Sequence, residues 1–317
     1  MNGKYIAEQY QIESPISHSG GMASVYLAHL VDDKRLKVAI KFARTGANGP
    51  AHEDVFLQRE ADLLSRSGWR HPGIVHLYPT ILENEAKYCL RAVNIEDRPW
   101  YMVMEYLSGE SLAQNIKRIQ RYSVDWKLEM FYQVLIAVSF IHQKGYAHRD
   151  LKPDNIVFRL PIVANQIPQP ILVDFALTSD GKSGSEIVET SYTLEYASPE
   201  RIAHGVMNRT NDYDDPRASD IWSLGVLLFE LLTGKLPIKG HKERVRTTLI
   251  SRGLDDIFVG NDYLKDMQES DQKLSDLIGK IIRVMLERKP SNRPDIETLI
   301  NVFEKYFCPP RIPFTIK

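Results

Sequence analysis

The chain has 317 residues, of which 43% are hydrophobic and 26% charged, a composition typical of globular proteins rather than disordered chains. Its 40 basic and 41 acidic side chains give a net charge of −1, so it lacks the basic excess typical of nucleic-acid-binding proteins. Two cysteines cannot form a disulfide framework, the N-terminus lacks a signal core and no apolar run reaches membrane-spanning length. We therefore predict a cytoplasmic protein with no nucleic-acid or membrane partner.

The first hundred residues are predicted to form strands and one helix. Val38, Ile40 and Phe42 alternate with polar or small residues, which is the two-residue period of a half-buried strand. Residues 101–106 form another short apolar run that predicts a strand. Between them, the apolar side chains of residues 53–65 share about one face of a helix. This third of the chain is therefore expected to be mainly β.

After about residue 108 the pattern becomes helical. Apolar residues spaced by three and four from Leu128 to Val138 predict an amphipathic helix that Gly145 ends. Residues 219–232 predict a buried helix that is apolar nearly all round, and residues 274–286 a further helix. The chain thus has an α+β pattern with its join near Ser108, and its length allows two domains or one bilobal domain.

Two stretches, residues 91–99 and 160–170, are predicted to be loops. The first is mostly polar and precedes a strand, and the second has three prolines between two short apolar segments. We interpret both as surface insertions rather than functional sites.

Residues 148–155 carry the strongest functional signal, with the sequence His-Arg-Asp-Leu-Lys-Pro-Asp-Asn. This octapeptide resembles the catalytic loop of eukaryotic-type protein kinases. Other parts of that family's signature appear in the family's order along the chain. They are Val-Ala-Ile-Lys at 38–41, the helical Glu60, Asp-Phe-Ala at 174–176, Ser-Pro-Glu at 198–200, Asp220 at the start of the buried helix, and Arg293, whose family counterpart pairs with the glutamate at position 200.

The resemblance covers about Tyr10 to Phe307 and implies a bilobal protein-kinase fold, with a small β-rich N-lobe and a larger α-helical C-lobe. On this basis we place the kinase domain at 10–307, with an N-lobe of about 1–104, a hinge at 105–108 and a C-lobe of about 109–307, followed by a tail at 308–317. The family resemblance also implies ATP and Mg²⁺ as cofactors and proteins as substrates.

The residue roles implied by the resemblance suit phosphoryl transfer, in which positioning and charge neutralisation dominate. Asp150 would accept or orient the proton of the acceptor hydroxyl, and Lys152 would offset charge on the transferring phosphoryl group. Asn155 and Asp174 carry hard oxygen ligands that suit Mg²⁺.

The same resemblance identifies the residues expected around the nucleotide. Lys41 would hold the α- and β-phosphates, and Glu60 would aim it. The remaining nucleotide-binding candidates are Gly20 and Gly21 in the glycine-rich loop, Val25, Ala39 and Val157 around adenine, the gatekeeper Met104, and the hinge residues Glu105 and Leu107.

Lys152, two residues after Asp150, and Thr193, five residues before Ser198, are typical of the serine/threonine branch of the family. The implied function is transfer of the γ-phosphate of ATP to serine or threonine hydroxyls of proteins, with autophosphorylation. Arg149 indicates that a phosphate on the activation segment could organise the loop. The candidate hydroxyls on that segment are Ser183, Ser185, Thr190 and Ser191.

The chain departs from the family pattern at its glycines. In the glycine-rich loop, His18 and Ala23 stand at two of the three glycine positions, whereas Gly20 is kept and Gly21 follows it, as in bacterial members. Ala176 replaces the glycine of the Asp-Phe-Gly motif, and its Cβ disfavours positive φ. We expect altered switching between states rather than loss of the chemistry.

Two other functions stay open from the sequence. The departures at His18, Ala23 and Ala176 also suit a pseudokinase that acts as a nucleotide-binding or scaffolding module. A small-molecule kinase on a related fold is the other alternative. Such relatives generally lack a full activation segment, an Ala-Pro-Glu-like motif and the arginine that pairs with it. This chain has all three, at Thr193, at Ser-Pro-Glu 198–200 and at Arg293, so the sequence favours a protein substrate.

Overall fold

A computed structural model describes residues 1–17, 23–44, 52–164, 166–180, 193–202, 215–237 and 272–307. The chain divides into two compact units, Met1–Ser108 and Gly109–Lys317. The first unit is built on a curled antiparallel sheet and the second on helices. The predicted fold class, a bilobal α+β architecture with a β-rich N-lobe and a helical C-lobe, is confirmed.

The described strands of the first unit are β1 (Tyr5–Ile6), β2 (Tyr10–Ser17), β3 (Ala23–Leu30), β4 (Lys37–Ala43), β5 (Leu77–Tyr78), β6 (Thr80–Leu82), β7 (Glu85–Lys87), β8 (Leu90–Arg91) and β9 (Trp100–Glu105). Seven of them form one antiparallel sheet in the order β1-β2-β3-β4-β9-β5, with β8 also paired to β9. Strands β6 and β7 form a separate hairpin, and one helix, α1 (His52–Ser65), packs on the sheet.

Strand β4 is buried on both faces, rather than on one face as its alternating sequence predicts. Ile40 and Phe42 point to one face and join an apolar cluster, while Ala39 on the opposite face is only 3% exposed. Two segments outside the long strands complete that cluster, contributing Ile6 and, from the predicted loop 91–99, Ala92 and Ile95. The loop is therefore part of the core as well as of the surface.

The second unit consists of five described helices and one short hairpin. The helices are α2 (Leu112–Ile119), α3 (Val124–Gln143), α4 (Pro216–Thr233), α5 (Gln272–Met285) and α6 (Ile296–Tyr306), the hairpin strands are β10 (Ile156–Phe158) and β11 (Pro170–Leu172), and two 3₁₀ turns lie at Pro153–Asn155 and Pro290–Asn292. Within the residues that the structure describes, no helix has the length and apolar character needed to cross a bilayer.

Local sequence signals set the helix ends. Ser111 and Gln114 form a reciprocal capping box at the start of α2, and the Ser123 side chain caps α3. Helix α3 ends at Gln143, and Gly145 follows it with φ +80°, as its sequence predicts. Helix α4 is buried along nearly its whole length, which confirms the prediction of a central buried helix.

The predicted loop at 160–170 connects β10 to β11 and is fastened to two helices. Arg118 Nη2 of α2 donates to the Ile162 carbonyl at 3.0 Å, and Trp126 Nε1 of α3 donates to the Gln166 carbonyl at 3.0 Å. Ile162 itself is buried. Ile162 and Gln166 of the insertion are therefore attached to α2 and α3.

Gly109 offers a test of close backbone packing. Its N–H donates to the Phe158 carbonyl at 3.0 Å, and an added Cβ would lie 2.5 Å from that oxygen and closer still to the Leu160 carbonyl. We expect Gly109→Ala to lower the free energy of unfolding by about 1–3 kcal/mol, because two backbone segments must shift.

Gly145→Ala is the matched control, since its φ is +80° but a Cβ added there would meet no atom of the described residues within 4 Å. Left-handed strain alone should cost it about 1 kcal/mol. Urea unfolding of both variants measures the difference. A loss in Gly109→Ala no larger than in Gly145→Ala would contradict the close approach.

Candidate functional site

Strand β4 and helix α1 join through a buried ion pair. Lys41 Nζ donates to Glu60 Oε2 at 2.6 Å, and the two residues are only 8% and 1% exposed. Leu57 and Ala61 of α1 are buried beside this glutamate along the helix. Because a buried charge without its partner is strongly unfavourable, the pair couples the position of α1 to that of the sheet.

The strand register places further candidates on the same face as Lys41. Val25 lies opposite Lys41 in the β3–β4 pair, and Ala39 lies opposite Met104 in the β4–β9 pair. Side chains opposite one another in an antiparallel pair project to the same face, and residues two apart on one strand do so too. The four predicted residues therefore share one face of the sheet.

The end of β9 is fixed to the segment that precedes β5. Glu105 N donates to the His76 carbonyl at 2.8 Å, and His76 N donates to Glu105 Oε1 at 2.9 Å. Because the Glu105 N–H already donates to His76, a nucleotide contact at this residue would use its carbonyl oxygen. Leu107 follows in the non-strand segment and is half-buried.

In the helical unit, the Asp150 carboxylate accepts hydrogen bonds from two side chains. Lys152 Nζ donates to Asp150 Oδ2 at 2.7 Å, and Asn155 Nδ2 donates to the same oxygen and to the Asp150 carbonyl, both at 2.8 Å. Lys152 Nζ also donates to Thr193 Oγ1 at 3.0 Å. The structure therefore brings together four residues that lie up to 43 positions apart in the sequence.

The backbone of this loop is held by Asp220, a fully buried residue of α4. Its carboxylate accepts hydrogen bonds from His148 N and Arg149 N, each at 2.8 Å, and His142 Nε2 lies 2.9 Å from Oδ2. Burial alone would raise the pKa of Asp220, but the hydrogen bonds and charge of His142, with the Arg149 N–H, hold the pKa below its ordinary value. Arg149 adopts φ +68°, a strained conformation for a residue with a Cβ.

His148 is a neutral, packed histidine. Its Nδ1 accepts from Asp150 N and its Nε2 donates to the Val173 carbonyl, both at 3.3 Å, which assigns the proton to Nε2. Complete burial lowers its pKa, and nearby carboxylates oppose this shift only partly. The ring also packs against Phe175 with a centroid separation of 4.9 Å.

Strands β10 and β11 bring the two predicted metal ligands near each other. Val157 lies in this hairpin, and Val173 N, next to Asp174, donates to the Asn155 carbonyl at 3.0 Å. Asp174 adopts φ +64°, a strained conformation for a residue with a Cβ, whereas Ala176 has no positive φ, so the alanine that replaces the motif glycine does not need left-handed backbone here.

These two residues fit a magnesium ion. The Nδ2 of Asn155 is used by Asp150, which leaves its amide oxygen as the ligand atom, and Asp174 adds a carboxylate. No cluster of three or more acidic, histidine or cysteine ligands occurs in the described part of the chain. Mg²⁺ is commonly held by one or two protein oxygens and completes its shell with phosphate and water, so this sparse set suits it.

The Ser-Pro-Glu segment is tied to the C-terminal part of the unit. Arg293 Nη1 and Nη2 donate to the two Glu200 oxygens at 2.7 and 2.8 Å, a bidentate pair. The guanidinium also lies 5.1 Å from the Trp222 ring centre and donates to the Ala218 carbonyl. The pairing expected from the family resemblance is confirmed.

Three residues of this region were missed by sequence reasoning. His142 contacts Asp220, Tyr196 Oη donates to Glu230 Oε2 at 2.6 Å, and the Arg201 guanidinium donates to the Arg149 carbonyl. His142 sits in an apolar helical run, where the pattern predicts only a helix. Tyr196 and Arg201 flank the Ser-Pro-Glu motif, which is the one signal that could have drawn attention to them.

Several sequence candidates lie outside the described residues. They are Gly20, Gly21 and His18 of the glycine-rich loop, and the activation-segment hydroxyls Ser183, Ser185, Thr190 and Ser191.

Comparison with known proteins agrees with this architecture. The family model described as the protein kinase domain matches residues 13–306, and the chain belongs to the protein kinase family. It is 32% identical over 243 residues to serine/threonine-protein kinase PrkC of Bacillus subtilis, covering 75% of this chain and 32% of that protein. The resemblance to a bacterial member of the family, seen in the sequence, is thereby confirmed.

Two further relatives show the same pattern. A probable serine/threonine-protein kinase of Streptomyces coelicolor is 34% identical over 233 residues, covering 71% of this chain and 30% of that protein. The Arabidopsis thaliana serine/threonine-protein kinase AtPK2/AtPK19 is 26% identical over 274 residues, covering 86% of this chain and 49% of that protein. The chain thus spans about a third to a half of the length of these curated relatives.

The neutral state of His148 predicts a pH dependence of stability. A histidine whose folded pKa lies below its unfolded value of about 6.5 binds fewer protons when folded, so the free energy of unfolding falls as pH drops below about 6.5. The slope contributed by His148 is up to about 1.4 kcal/mol per pH unit. Burial lowers the pKa of His71 as well, which adds a slope of the same sign.

Denaturant unfolding of wild type and His148→Phe at pH 7.5 and 5.5 measures this effect. We expect the variant to be less stable at pH 7.5, because two hydrogen bonds are lost, and the deficit to shrink at pH 5.5. His71→Phe provides a comparison for the second histidine. A deficit of His148→Phe that is equal at both pH values would contradict the assignment.

Proposed function

We propose that the chain is an ATP- and Mg²⁺-dependent serine/threonine protein kinase, which transfers the γ-phosphate of ATP to serine or threonine hydroxyls of proteins and autophosphorylates. The observation that carries this proposal is the Asp150 carboxylate, bound by Lys152 and Asn155, with Lys152 also bound to Thr193. The names of the relatives support the same reaction class. The proposed domain spans 10–307, with a hinge at 105–108.

Asp150 is the proposed acceptor of the substrate hydroxyl's proton. Its Oδ2 receives two donors, so the carboxylate has a fixed orientation, and its Oδ1 would face the acceptor hydroxyl. Positioned general-base groups contribute about 10²–10⁴ in rate. Lys152, held at 2.7 Å, would lie beside the phosphoryl group as it transfers and offset its charge.

Asn155 and Asp174 are the proposed magnesium ligands. The ion would neutralise charge on the phosphate oxygens as the bond to the leaving group breaks. Asn155 would then have two roles, because its amide nitrogen donates to Asp150 while its oxygen would bind the ion. This shared use of one side chain ties the position of the base to that of the ion.

The N-lobe is proposed to supply the nucleotide contacts. Lys41, aimed by Glu60, would bind the α- and β-phosphates. Val25, Ala39 and Met104 would contact adenine from one face of the sheet, joined by Val157, and the Glu105 carbonyl and Leu107 N–H would provide hinge hydrogen bonds. Gly20 and Gly21 are proposed to approach the phosphates.

Two alternatives are weaker. A pseudokinase would be expected to lose part of the polar set, but Lys41, Glu60, Asp150, Asn155 and Asp174 are all present, and Ala176 carries no positive φ. A small-molecule kinase would not need the Ser-Pro-Glu segment, which here is anchored by a bidentate arginine.

A kinase assay with radiolabelled ATP and a generic basic protein substrate tests the proposal. We expect phosphotransfer and autophosphorylation by the wild type and a fall of about 10²–10⁴ in kcat for Asp150→Asn, which removes the proton acceptor. Asp33→Asn, an equivalent change in an exposed turn, is the matched control and should leave activity unchanged.

Binding is measured separately as stabilisation by Mg-ATP, expected to reach about 2.7 kcal/mol at 100 times Kd in both wild type and Asp150→Asn. Stabilisation without turnover in any protein would favour the pseudokinase. Consumption of ATP only on addition of a metabolite would favour the small-molecule kinase. Equal labelling by wild type and Asp150→Asn would show that the activity belongs to a contaminant.

A further inference from the structure

Arg91, in the short strand β8, connects the sheet to the first turn of α1. Its Nη2 lies 3.6 Å from Asp54 Oδ2. The guanidinium stacks over the Trp100 ring at 5.0 Å from the centroid, and Nη1 donates to the Arg98 carbonyl at 3.1 Å. Three separate contacts therefore fix the direction in which this cation points.

Asp54, the ion-pair partner of this cation, is buried, whereas the Arg91 side chain is 45% exposed. Asp54 is only 7% exposed, and among the described residues its Oδ1 has no hydrogen-bond partner. Because Asp54 lies in the first turn of α1, the helix dipole stabilises its negative charge. A buried carboxylate with one unpaired oxygen is costly, so the nearby positive charge of Arg91 stabilises the turn that carries Asp54.

Asp54 and Glu60 give α1 two ionic anchors. They are six residues apart, which is about 9 Å along a helix axis. Glu60 is bound from β4 and Asp54 from β8, and both of these strands pair with β9. One anchor would let the helix pivot about it, whereas two anchors on one sheet fix both its position and its tilt.

The segment that carries Arg91 is itself held firmly. Ala92 and Ile95 are buried in the apolar cluster on the sheet, and the Asn94 side chain donates to the Tyr5 carbonyl. Cys89, just before β8, has its pKa raised to about 12 by burial and then by the carboxylates of Glu60 and Asp54. The charges of these two carboxylates thus act on the residue that precedes β8.

We propose that Arg91 is a positioning residue for phosphoryl transfer: through Asp54 it holds α1 so that Glu60 stays aligned on Lys41. This inference rests on the proposed kinase function, in which Lys41 binds the nucleotide phosphates. The segment 91–99, which the sequence suggests is a surface insertion, then links strand β1 to helix α1, whose Glu60 positions Lys41.

The experiment compares Arg91→Ala with Arg98→Ala in the full chain. The control removes the same charge from an exposed side chain of the same segment, and it keeps the backbone carbonyl that Arg91 binds. We expect Arg91→Ala to lower kcat on a peptide substrate about fivefold, the size of a partly exposed ion pair, with the peptide KM unchanged. Arg98→Ala should match the wild type, and Arg91→Lys should recover part of the loss.

A double-mutant cycle separates positioning from general stability. In a Glu60→Gln background, Arg91→Ala should cause no further fall in kcat, because both changes act on the same alignment. An undiminished fivefold fall in that background would overturn the assignment. So would equal kcat for Arg91→Ala and Arg98→Ala, or an Arg91→Lys variant no more active than Arg91→Ala.

Thermal stabilisation by Mg-ATP provides a second measurement that needs no turnover. Arg91→Ala should show a smaller rise in Tm with Mg-ATP than Arg98→Ala does, and equal rises would overturn the assignment. If the wild type shows no kinase activity, the proposed function fails, yet this comparison still decides whether Arg91 positions the nucleotide-binding lysine.

Discussion

The loop at residues 148–155, which carries the proposed base, depends on one buried carboxylate. Asp220 accepts the N–H groups of His148 and Arg149, and thereby holds a backbone with φ +68° at Arg149 directly before the proposed base. Left-handed backbone at such a residue persists only where its surroundings over-determine it. Asp220 belongs to α4, a helix buried along nearly its whole length. The packing of the C-lobe core therefore sets the geometry of the loop.

Helix α4 also organises the segment that follows the activation loop. Ser219 Oγ lies 2.6 Å from Ser198 Oγ, Ser223 Oγ donates to the Tyr196 carbonyl, and Trp222 packs on the guanidinium that binds Glu200. One helix thus fixes both the loop that carries the proposed base and the Ser-Pro-Glu segment. A core change in α4 would therefore alter activity without touching the reacting groups.

Much of this could be predicted from the sequence, because the informative signals are local. The motif at 148–155 identified the loop and its polar partners, the spacing of apolar residues identified α1, α3 and α4, and Gly145 marked a helix end. Contacts between distant, irregular segments left no such signal. Asp54 and Arg91 are 37 positions apart, and the mostly polar composition around Ala92 and Ile95 hid their burial. His142 was hidden for the opposite reason, since an apolar helical run gives no hint that one member serves a buried carboxylate.

The alanine at position 176 has a consequence for ligand selectivity. It lies two residues after Asp174, which adopts φ +64°, and does not itself adopt positive φ, so its Cβ is compatible with the observed backbone. A ligand that required left-handed backbone at residue 176 would lose about 1–2 kcal/mol relative to a protein with glycine there, which is roughly five- to thirtyfold in affinity. A ligand that binds the observed backbone would not meet this loss, so the methyl group of Ala176 would favour ligands of the observed conformation.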